Sequence, residues 1–135
     1  MSNKVLLSTG AGLGSRQIAF VTHPNVTALP DRPGLFVLLG TRGAGRDVPL
    51  YFGYADRSMR DQVPYDPGFA QAIRQGLVGF ASAYLPGGDD PATLVADLAE
   101  AYDAPINAAA SALAEIERAQ SQLQAVASAR RIAAQ

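Results

Sequence analysis

Apolar residues fall in short continuous runs through the first two thirds of this chain and at three- and four-residue spacings through the last third. Strands are therefore predicted early and helices late. Phe36 to Leu39 form one run, bounded by Pro33-Gly34 and Gly40, and Leu50 to Phe52 form a second. Each has the length and the flanks of a strand covered on both faces. Between them Gly43, Gly45 and Asp47 interrupt the pattern, and Pro49 suits the first position of a strand because it has no amide donor. The simplest connection is a hairpin. Ahead of it, Ile18, Phe20 and Thr22 alternate along Gln17 to Thr22 and predict a strand. Behind it, Leu77 to Leu85 reads as the third strand of the sheet, ended by Pro86-Gly87-Gly88.

The helical spans carry their own punctuation. A short helix is expected over Ala55 to Gln62, stopped by Pro64. Asp66-Pro67 sets a capping carboxylate before a proline that tolerates the first turn, and opens a helix through Phe69, Ala72 and Ile73 to Gly76. Asp90-Pro91 repeats the signal and starts a helix to Tyr102, with Leu94, Val95, Leu98, Ala101 and Tyr102 as its apolar stripe. Pro105 separates it from an alanine-rich helix over Ile106 to about Ala133. There Ala109, Ala112, Ile116, Ala119, Leu123 and Val126 form a thin seam that suits either folding back on the domain or a homodimer through this helix.

A chain of 135 residues holds one domain with a core, plus an appendage. A net charge of -1 exerts no overall pull on nucleic acid or on an anionic membrane, so any nucleic-acid contact has to be local. The local candidates are Arg32, Arg42, Arg46, Arg57, Arg60 and Arg74, interleaved with Asp31, Asp47, Asp56, Asp61 and Asp66, the pattern of an ordinary solvated face. With no cysteine there are no disulfides or thiolate metal sites. His23 is the sole histidine and reads as structural, and no Ser-His-Asp or Cys-His nucleophile system is indicated. The Val5 to Leu7 run is too short for a signal-peptide core and no run approaches membrane-spanning length, so the expectation is a cytoplasmic protein with no membrane partner. Ser8 to Gly14 imitates a dinucleotide-binding turn. However, Ser15 stands where the third glycine belongs, and His23-Pro24 and Pro30 forbid the helix that should follow. Residues 1–16 therefore read as a flexible leader.

Gly34-Leu35-Phe36 and Tyr51-Phe52-Gly53, on adjacent antiparallel strands, resemble the paired tripeptides of the GIY-YIG nuclease superfamily. Phe69 to Gly76 followed by a strand, then Ala96-Asp97-Leu98, Tyr102 and Pro105-Ile106-Asn107, are similar to the later segments of its small stand-alone bacterial members. The resemblance covers about Gln17 to Asn107. It implies an α+β domain over 17–107, with a small antiparallel three-stranded sheet flanked by helices; the leader and the C-terminal helix over 108–135 lie outside it.

The activity implied is metal-dependent hydrolysis of a nucleic-acid phosphodiester with Mg²⁺ or Mn²⁺, using a tyrosine beside the metal-bound water, an arginine on the phosphate and a glutamate on the metal. Carried over residue by residue, the first tyrosine position holds Phe36 and the second holds Tyr51. The arginine position falls on Asp61 or Gln62, beside Arg60. The glutamate position falls on Val95, which cannot ligate a hard cation, and Asp97 and Glu100 point in other directions from the same helix.

The expectation is a catalytically degenerate binding module with no cofactor and no metal site. Its partner is either nucleic acid, met through Arg42, Arg46, Arg57, Arg60 and Asn107, or another protein. One alternative is an active nuclease with Tyr51 assisting water, Arg60 clamping phosphate and Asp97 or Glu100 as a relocated metal ligand. Another is an interaction or inhibitor protein working through the C-terminal helix.

Overall fold

Five antiparallel strands make one sheet in the order β1-β2-β5-β3-β4. The strands are β1 (Lys4–Ser8), β2 (Gln17–His23), β3 (Gly34–Arg42), β4 (Gly45–Ala55) and β5 (Leu77–Ala83). The computed structural model describes residues 4–10, 15–42, 45–85 and 90–133. β2, β3, β4 and β5 all fall on runs that the sequence marks as strands, and the three expected to make the sheet, β3, β4 and β5, are adjacent. The sheet is nevertheless larger than the expected three-stranded one, because β2 adds to the free side of β5 and β1 pairs with β2. β1 lies inside the segment that reads as a leader. Its apolar run is too short to stand out, but Leu7 pairs with Ile18 and joins the core.

β3 alternates strictly. Leu35, Val37 and Leu39 enter one core cluster and Phe36 and Leu38 enter the other, as the twofold period of a strand requires. The continuous apolar run is therefore a strand covered on both sides. On the first face, α3 (Pro91–Ala101) lays Leu94 and Leu98 against Phe20, Val37 and Phe52. On the second face, α1 (Met59–Gln62) and α2 (Pro67–Arg74), joined by the 3-10 turn Val63–Tyr65, bring Met59, Val63 and Ala72 onto Phe36, Leu38 and Phe80. Asp66 and Asp90 cap α2 and α3 as the sequence predicts, accepting from Gly68 N at 2.9 Å and Thr93 N at 3.2 Å. Asp103, in the left-handed region at φ 50°, turns the chain from α3 into the last helix.

That helix, α4 (Pro105–Ala133), buries only Ile106 in the core. Every side chain from 108 to 128 is exposed, so the helix leaves the domain and does not fold back over it. Among the described residues, no helix is long and apolar enough to cross a membrane.

Candidate functional site

A cleft of about 750 Å³ opens where β3 begins and β4 ends, on the face covered by α1 and α2. Its floor is Phe36 and its walls include Tyr54, Arg57, Asp61, Tyr65 and Asp66. The register places Phe36 opposite Gly53, and the ring lies over that glycine so closely that a Cβ there would sit 2.4 Å from a ring carbon. Tyr51, two residues earlier on the same face, packs against Phe36 with ring centroids 6.1 Å apart. Its other side rests on Gly68, where a Cβ would come within 2.7 Å of the ring. Both glycines are thus demanded by close approach of aromatic rings.

The Tyr51 hydroxyl does not face open solvent. Burial first, and then its hydrogen bond to the Asp66 carboxylate and that group's negative charge, push its pKa well above the ordinary tyrosine value. Asp66 at the same time caps α2. The one phenol at the carried-over positions is therefore held in its neutral form by the carboxylate that starts the next helix.

Gln62 shapes the rim. Its Oε1 accepts from the backbone N–H groups of Arg57 and Ser58, each at 2.8 Å, and its Nε2 donates to Asp56 at 2.6 Å. The Gln62 hydrogen bond leads the causes that hold the Asp56 carboxyl below its usual range. With the turn so fixed, Arg57 is presented outward, its side chain 84% exposed and 3.8 Å from Asp56. Tyr54 and Tyr65 are exposed as well, the latter at 89%.

The expected site residues separate into distinct places. Arg60 does not line the cleft; its guanidinium is 3.1 Å from Asp31 and 3.5 Å from Asp61. Arg42 and Arg46 belong to the opposite, hairpin end of β3 and β4, roughly 30 Å at the rise of a strand from Ala55, where β4 ends before Arg57. The four arginines make no common patch. Asn107 is bound to backbone, since its Oδ1 accepts from Phe52 N at 2.8 Å and its Nδ2 donates to Phe52 O at 2.9 Å. Val95 packs with the cluster on the other face of the sheet from Tyr51, and Asp97 and Glu100 are exposed on that same helix. Among the described residues, no group of three or more His, Asp or Glu side chains is placed to hold a metal ion.

No family model, curated protein or solved structure matches the chain.

Two features escape a reading of the sequence. Tyr54 and Tyr65 flank the cleft although each stands in a different local pattern, and only the tripeptide Tyr51-Phe52-Gly53 next door could have drawn attention to Tyr54. His23 meets Ser82 across β2 and β5, with Nε2 2.8 Å from Oγ, beside a small cavity of about 170 Å³ that also touches Met59 and Tyr84. Ser82 is 4% exposed, so the imidazole satisfies a buried hydroxyl. Nothing near them in sequence announces the pairing.

Proposed function

We propose that this chain is a non-hydrolysing binding module, a degenerate relative of the GIY-YIG design, whose cleft takes an unstacked nucleotide of single-stranded nucleic acid. The observation that carries this reading is the lining of the cleft: the exposed Tyr54 and Tyr65 and the outward guanidinium of Arg57 stand around Asp66, the carboxylate that holds the Tyr51 hydroxyl behind it. Aromatic faces stack bases without regard to sequence, and a lone arginine beside them meets one phosphate. Asp61 on the wall accepts hydrogen bonds from exocyclic amino groups of a base. Against hydrolysis stand Phe36, which has no hydroxyl, and Val95, which lies across the sheet from Tyr51.

The test is fluorescence anisotropy with a single-stranded oligonucleotide and its duplex, run beside a cleavage assay with Mg²⁺ and Mn²⁺. Preferential binding of the single strand is expected. Tyr54→Ala and Tyr65→Ala should each cost about 1–3 kcal/mol of affinity, the range for one base-aromatic stack. Arg57→Ala should reduce the dependence of log K on log salt by about 0.7, the share of one phosphate on a single strand. Because position 95 faces the other side of the sheet, Val95→Glu should gain no cleavage. Cleavage by the parent that disappears in Tyr51→Phe would favour the enzyme reading with a relocated metal ligand, and absence of single-strand binding would sink the module.

A further inference from the structure

The seam on α4 is exposed along its whole described length. Leu113, Ile116, Leu123 and Val126 are 57%, 54%, 70% and 51% accessible, and Ala109, Ala112 and Ala119 continue the stripe between them. A projecting helix whose Leu113, Ile116, Leu123 and Val126 all face water gains nothing through them from its own domain, and isolated helices are marginal in water. Charge along α4 also changes sign. Glu115 and Glu117 stand in its first half with Arg118 beside them, and Arg130 and Arg131 near its end. At its base, a groove of about 610 Å³ between α3 and α4 is floored by Val95, Ala99 and Ala108, bordered by the carboxylates of Glu100, Asp103 and Glu115, and lined by no cation.

We propose that two copies of this chain associate through α4 in antiparallel order, with positions 130 and 131 of each helix seated at the acidic groove of the other. A two-fold axis between Ala119 and Gln120 sets Ile116 against Leu123 of the second copy, Leu113 against Val126, and Ala112 against Ala127. In the same register positions 130 and 131 come opposite Ala109 and Ala108, beside the groove. The overlap from 108 to 131 runs roughly 35 Å at 1.5 Å per residue. A parallel pair would bring like charges together at both ends. The antiparallel pair brings positions 130 and 131 alongside the acidic groove twice over and opposes the helix dipoles favourably. That self-complementarity, in apolar seam and in charge, selects a second copy as the occupant. It is independent of the cleft on the other face.

Sedimentation equilibrium of the full chain at ~100 µM, where a pair with a Kd of about 1 µM is nearly all dimer, should give twice the 14.1 kDa chain mass. Ile116→Glu with Leu123→Glu should give the monomer mass with the sheet intact by circular dichroism. The natural chain contains no cysteine, so single cysteines report orientation cleanly. Ala112→Cys and Ala127→Cys proteins, mixed and oxidised, should form a mixed disulfide dimer, while neither alone cross-links. Self-linking of Ala112→Cys would mean a parallel pair and overturn the proposal, as would a monomer mass for the parent. Arg130→Glu with Arg131→Glu should raise the dimer Kd by about tenfold or more. Adding Glu100→Lys and Asp103→Lys should recover most of that loss, and unchanged dimerisation throughout would overturn the groove contact.

Discussion

Asn107 behaves as a one-residue strand. β4 is an edge, and an edge strand displays unpaired amide and carbonyl groups that invite other chains. The side-chain amide of Asn107 presents an N–H and a carbonyl in the spacing of a peptide group, and it satisfies Phe52 with both. Asn107→Ala should cost about 1–3 kcal/mol in urea unfolding, the range for leaving such groups unmet. Asn107→Asp should recover only part, because it can accept from the N–H and cannot donate to the carbonyl.

His23 makes a second residue-scale prediction. Burial lowers its pKa from 6.5, so the folded state favours the neutral imidazole beside Ser82. Its contribution is present above the unfolded value and is lost as pH falls through the lowered native one. The thermal midpoint should fall as pH drops below 6.5, and His23→Gln should flatten that part of the profile.

At the scale of elements, β1 is held from two sides. It pairs with β2 in the sheet, and the Tyr102 hydroxyl at the end of α3 accepts from Ser8 N at 2.9 Å. The same ring lies 6.0 Å from that of Phe52. Tyr102→Phe keeps the ring and removes the acceptor, at about 1 kcal/mol. Amide exchange at Ser8 should quicken in that variant while β3 and β5 are unchanged; equal change throughout the sheet would show that β1 does not open on its own. α2 shows the opposite economy, for Asp66 is at once its cap and the partner of Tyr51. The start of α2 and the Tyr51 ring packed behind Phe36 are therefore coupled.

For the whole molecule, the domain and its last helix are separate problems in stability. The two core clusters draw only Ile106 from α4, whereas the sheet and α1 to α3 supply nearly everything else. In hydrogen exchange, amides along 110–130 should be protected in the parent and exchange rapidly in the Ile116→Glu, Leu123→Glu variant, with β3 and β5 protected in both. Protection retained in the variant would mean that α4 is stable without its second copy.

Local chemistry wrote much of this fold into the sequence. The two Asp-Pro starts, the glycine after α2, the continuous runs of β3 and β4 and the three-four seam of α4 are short-range signals, and each formed close to where its pattern put it. Tertiary pairing decided the rest. Recruitment of β1, the sheet order, the meeting of His23 with Ser82 and of Asn107 with Phe52 all join residues far apart in the chain. Their energies come from burial and backbone pairing, which leave no local trace. The candidate site divides in the same way. Tyr51 and Arg57 are visible as residues, but only the packing of Phe36 on Gly53 and of Tyr51 on Gly68, and the separation of the arginines to opposite ends of the hairpin, determine what stands in the cleft.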